Sequence, residues 1–137
     1  MSRDEMPPGS ARVMLLATNY ALAFWALYFG VVTFAGGRER WASPAYRTAL
    51  LAPGAPESWA VVVGGAGLLL LAGTIFRLRR TLILGNGIGF FWCLAYGGSF
   101  LREFFANPGV GLGGTGTYFL LMFLFGLRTV LYIRWQQ

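Results

Sequence analysis

The chain has no histidine, no lysine and a single cysteine. Each gap removes a kind of chemistry. Without His there is no Ser–His or Cys–His couple for nucleophilic catalysis and no imidazole base near neutral pH. One thiol, Cys93, can close neither an internal disulfide nor a multi-cysteine metal site. It lies in the middle of an apolar run and reads as a small buried residue. Acids are scarce too: Asp4, Glu5, Glu39, Glu57 and Glu103 all fall in tails or loops. No carboxylate pair is placed for acid–base work, and none sits at mid-membrane to couple transport to protons or sodium. The expectation is a non-enzymatic protein with no metal, no cofactor and no small-molecule substrate.

Charge as a whole is thin, at 12% of residues, while 56% are hydrophobic and the mean hydropathy is +0.58. Soluble domains carry about 25% charged residues. So few charges cannot cover a globular surface, and the apolar exterior needs lipid or partners. The aromatic share of 17%, with 12 Phe, fits lipid-facing helices. The net charge of +6 comes entirely from Arg. In so apolar a chain it points to loops beside anionic lipid rather than to nucleic acid. At 137 residues there is room for one domain.

The organising stretch is a hairpin of two apolar runs, 58–76 and 81–101, joined by Arg77-Leu78-Arg79-Arg80. Each run is long enough to cross a bilayer as a helix, and the basic turn between them cannot enter one. Two more runs, 13–35 and 117–133, complete four spans. The first is too long for the apolar part of a secretory signal and reads as a retained span. The fold expected is all-α: a four-helix transmembrane bundle over 13–137, behind a disordered cytoplasmic tail at 1–12.

Residues 36–57 are too polar and too broken to span. Ser43-Pro44 resembles a helix start, so a short interfacial helix over Pro44–Leu51, with Trp41 and Tyr46 at headgroup level, competes there with a plain loop. The glycine-rich stretch before Thr117 follows no strand and lacks Gly-Lys-Ser/Thr, so it reads as a flexible linker rather than a phosphate loop. Four spans put both termini and the Arg77–Arg80 turn on one side. That side holds Arg3, Arg12, Arg77, Arg79, Arg80 and Arg134, against Arg38, Arg40, Arg47 and Arg102 opposite. The richer side is the cytoplasmic one, with Arg77, Arg79 and Arg80 as topology determinants.

Three polar residues interrupt the spans: Asn19, Asn86 and Arg128. At 1.5 Å per residue all three lie roughly 8–9 Å below the cytoplasmic face. Arg128 keeps its charge and must snorkel or find partners. Its side chain leans toward the helix N-terminus, away from the nearer water. Asn19 and Asn86 carry carbonyl oxygens able to accept from it. The layer is either a clasp that holds the bundle in register, or contact with lipid phosphate, or the lining of a wet path. Two small-residue pairs, Ala60/Gly64 and Gly85/Gly89, mark close helix packing, either inside this bundle or between copies.

The phrasing Ala17-Thr18-Asn19-Tyr20, Trp25-Ala-Leu-Tyr28, Trp41-Ala-Ser-Pro-Ala-Tyr46 and Ala52-Pro-Gly-Ala-Pro56 before Trp59 resembles small four-span membrane proteins of actinobacterial tailed phages, some described as holins. The resemblance implies a host inner-membrane protein that self-associates and permeabilises the bilayer during lysis. It transfers no functional residue. A superinfection-exclusion or accessory interaction protein, or a small channel or transporter, are the other expectations.

Overall fold

Inside lipid a backbone can satisfy its polar groups only by bonding to itself, so each apolar run becomes a helix. The computed structural model describes residues 9–36 and 41–134. Among these residues the chain forms four α-helices and no strand: α1 (Gly9–Ala35), α2 (Glu57–Ile75), α3 (Arg79–Ala106) and α4 (Gly113–Arg134). All four are long and apolar enough to cross a membrane. The chain is a four-helix bundle with membrane-spanning character.

Three boundaries differ from the sequence reading. The tail expected over 1–12 lies largely outside the described residues, and α1 has already begun at Gly9. At the other end of the bundle α3 continues past Leu101 to Ala106, and α4 starts at Gly113. The flexible linker therefore shrinks to residues 107–112. Glycines disfavour a helix in isolation, but here packing decides. A Cβ on Gly114 would sit 3.1 Å from the Phe100 ring, so the bare residue lets the first turn of α4 lie close against α3. The short helix over Pro44–Leu51 takes the form of two 3-10 turns, Pro44–Tyr46 and Ala49–Leu51. Ser43 precedes the first turn but makes no capping bond through its side chain.

Consecutive helices are neighbours: α1 with α2, α2 with α3, α3 with α4. Glycine sets how closely the backbones approach. A Cβ on Gly67 would lie 3.0 Å from the Ala23 carbonyl oxygen, and one on Gly30 would lie 3.0 Å from the Gly64 Cα. α1 and α4 meet instead through large side chains. Trp25 and Phe29 of α1 reach Trp92 and Tyr96 of α3 and Phe125 and Tyr118 of α4. Trp92 and Tyr96 stack with centroids 4.6 Å apart at 18°. The aromatics expected to face lipid thus divide by the helix face they occupy. Phe24, Phe34, Phe91 and Phe123 do point outward, but Trp92, Tyr96, Phe100 and Phe125 build the core together with Cys93.

The loop after α1 folds back as a cap on this end of the bundle. Trp41 is buried against Tyr46, which meets Phe100 edge-on. The Trp59 indole donates to the Ala49 carbonyl at 2.7 Å. Buried Glu103 accepts from the Thr48 hydroxyl and from the Asn107 amide, tying loop, α3 and the following turn together.

Candidate functional site: a buried arginine clasp

At the opposite end of the bundle, Arg128 projects from α4 toward α1. It is 5% exposed, beside Asn19 at 2% and Asn86 at 0%. Its Nη2 donates to the Leu15 carbonyl at 2.6 Å, to Asn19 Oδ1, and to the Tyr132 hydroxyl at 3.3 Å. The Asn19 amide in turn donates to the Tyr132 hydroxyl at 2.6 Å. The guanidinium carbon lies 5.3 Å from the Tyr132 ring centre. The cation is thus held by neutral oxygens and a π face. Among the described residues no carboxylate pairs with it.

This geometry runs against helix direction. Helical side chains lean toward the helix N-terminus, yet Arg128 meets Tyr132 one turn toward the C-terminus of α4. Its head is bent against the lean and met there by acceptors from two helices. Asn19 on α1 is one. Tyr132, one turn further along α4, supplies another. Tyr132 escaped the sequence reading, yet its place four residues from Arg128 puts both on one helix face. The carbonyl of Leu15 left no sequence signal at all.

Asn86 does not join the clasp as expected. Its amide donates to the Leu82 carbonyl of its own helix at 2.8 Å. Its Oδ1 is buried without a partner, and so is Arg128 Nε. Along the α3–α4 seam Gly97 faces Tyr118 and Gly89 faces Phe125. Three residues further in each direction bring Asn86 and Arg128 to the same level. An orphan acceptor and an orphan donor therefore share one layer of the bundle. Thr18 and Thr74, near that depth, bond back to Met14 and Leu70 and take no part.

The three basic residues of the turn play separate roles. Arg77 holds a positive φ of 55° just past α2, and the Leu78 N–H reaches back to the Gly73 carbonyl at 2.9 Å. This left-handed closure lets α3 begin at once. Arg79 donates from Nε to the Tyr132 carbonyl at 2.6 Å and from Nη2 to the Ile133 carbonyl at 3.1 Å. A cation there satisfies carbonyls that a helix end leaves unpaired and complements its dipole. Arg80 is exposed.

The small-residue pairs are occupied within the chain. Gly85 packs on Ala66, Leu69 and Leu70 of α2, and Gly89 on the Phe125 ring at 2.7 Å from an added Cβ. Ala60 and Gly64 receive Gly30 of α1. Between the two readings of these pairs, packing inside the bundle describes the geometry, and Gly85 and Gly89 are not open to another copy.

Chemically, the clasp can hold a charge and fix helix register. An arginine does not give up its proton, so Arg128 keeps its charge at this depth. Asn19, Asn86 and Arg128 are each at most 5% exposed. No protein family, curated protein or solved structure matches the chain.

Proposed function

We propose that this is a non-enzymatic integral protein of a bacterial inner membrane, with both termini in the cytoplasm, that acts by lateral association with its own copies as a holin-like phage lysis factor. One observation carries the reading. The bundle turns its polar intramembrane groups inward and spends them on its own helices. What it presents to the bilayer is apolar on every helix, with Val13, Phe24, Val61, Leu68, Phe91 and Phe123 outermost. Such a surface has lipid and other apolar helices as its natural neighbours. The Arg-rich side supports the orientation, and the resemblance of the loop phrasing to small phage membrane proteins supports the lysis role. With Gly85 and Gly89 occupied, association between copies falls to the shallow α1–α2 groove around Val31, Phe34, Val61 and Gly64. Inducing the protein in a bacterium while following membrane potential tests this. The expected result is collapse of the potential past a threshold of accumulation. Steady potential and normal growth at high expression overturn it.

A second reading has its own support. The cap at the other end of the bundle exposes Arg47, Leu51, Arg102 and Phe105 on a hydrogen-bonded frame. That surface suits a membrane-resident exclusion factor or accessory subunit. Copurification of a partner, or a block to a second phage without host death, favours this reading over lysis.

A further inference from the structure

A groove of about 630 Å³ runs along α3 beside α2, walled by Val62, Ile83, Leu84, Gly87, Ile88 and Phe91 and reaching Ala95 and Ser58 at its far end. Gly87 holds it open, since a Cβ there would meet nothing within 4 Å. The α3 residues recur every three or four positions, so they form one helix face. Arg80 belongs to the same face, one turn before Ile83 and Leu84. It is exposed and makes no hydrogen bond or ion pair with any described residue, whereas its neighbour Arg79 is spent on the end of α4. Arg80 also leans toward the N-terminus of α3, which is the nearer water, the reverse of Arg128. An unpartnered guanidinium thus stands one helical turn beyond the Ile83 end of an apolar groove.

From Arg80 to Phe91 the helix rises about 16 Å, close to half of a ~30 Å hydrocarbon core. One acyl chain of one leaflet matches that length, and a guanidinium fork matches a phosphate. We propose that this groove is a binding site for one anionic phospholipid, with its phosphate on Arg80 and an acyl chain along Ile83–Phe91. The site rests on the chain spanning a bilayer and is independent of whether the protein serves lysis or a partner.

Native mass spectrometry of the full chain in detergent tests it, with phosphatidylglycerol and phosphatidylcholine of identical acyl chains added in turn. The wild type is expected to retain one phosphatidylglycerol under activation that strips phosphatidylcholine. Losing one charge-assisted contact in Arg80→Gln should weaken phosphatidylglycerol retention about tenfold, to the phosphatidylcholine level. Gly87→Leu, which fills the channel from open space, should reduce retention of both lipids. Arg102→Gln, an exposed arginine at the other end of α3, should change nothing. Equal retention of the two lipids by the wild type overturns the proposal. So does wild-type retention in both Arg80→Gln and Gly87→Leu.

Discussion

Replacing Asn19 by Leu removes the side-chain oxygen that Arg128 reaches on α1 while keeping the number and branching of heavy atoms. The cost is then polar rather than a cavity. A hydrogen bond to a charged group contributes about 1.5–3 kcal/mol, and membrane helix pairs fall toward the low end, at up to ~1.7 kcal/mol. Asn19 also donates to Tyr132, so Asn19→Leu should destabilise the bundle by about 2 kcal/mol. Arg128→Met behaves differently. It removes the buried charge together with its need for partners and leaves only the neutral Asn19 oxygen without a donor. Its expected cost is about 1 kcal/mol, the low end for an unpaired neutral acceptor. The two changes must therefore couple. Asn19→Leu/Arg128→Met should be more stable than Asn19→Leu alone, since the charge that lost its acceptor is gone. Equilibrium unfolding in bicelles, followed by near-UV circular dichroism of the core tryptophans, measures all four corners of the cycle. Additive losses, or an Arg128→Met more damaging than Asn19→Leu, would refute the clasp as the reason Arg128 is tolerated at this depth.

Other expectations follow from the packing. Gly67→Ala and Gly30→Ala push a methyl against backbone atoms at 3.0 Å and should each cost about 1–3 kcal/mol in the same unfolding assay. Gly65→Ala and Gly87→Ala meet open space and should be neutral or stabilise by up to ~1 kcal/mol. Arg79→Gln strips the bonds to the last carbonyls of α4, so hydrogen exchange should quicken over the final turn of α4 with little change in mid-helix. Thr48→Val removes the hydroxyl held by Glu103, for a loss of about 1–2 kcal/mol. Limited proteolysis should then cut first between residues 41 and 56.

Run length and the basic turn were enough to place four helices, because an apolar segment has one way to satisfy its backbone in lipid. The ends were less legible. Composition marks Gly113–Gly116 as a linker, and the close seat of Gly114 on the Phe100 ring, which favours the helix there, is invisible in sequence. Depth counting put Asn19, Asn86 and Arg128 in one layer, since rise per residue is constant. It could not say which oxygen faces the guanidinium, because that depends on helix rotation about the axis. Rotation turns Asn19 and Tyr132 toward Arg128 and leaves the Asn86 oxygen alone. The same limit applies to the glycines: Gly85 and Gly87 look alike in sequence, yet one lies on Leu70 and the other borders an open groove. Sequence alone also left open where the indoles of Trp59 and Trp92 point, and packing brings both onto backbone carbonyls.

The central claim is a four-span bundle with the Arg77–Arg80 turn at the cytoplasmic boundary, and single-cysteine labelling tests it most directly. In a Cys93→Ala background, Leu78→Cys and Ser43→Cys are exposed to a membrane-impermeant maleimide in spheroplasts. Ser43→Cys should label in intact spheroplasts, and Leu78→Cys only after the membrane is opened. Labelling of Leu78→Cys from outside, or recovery of the protein in the soluble fraction, contradicts the account.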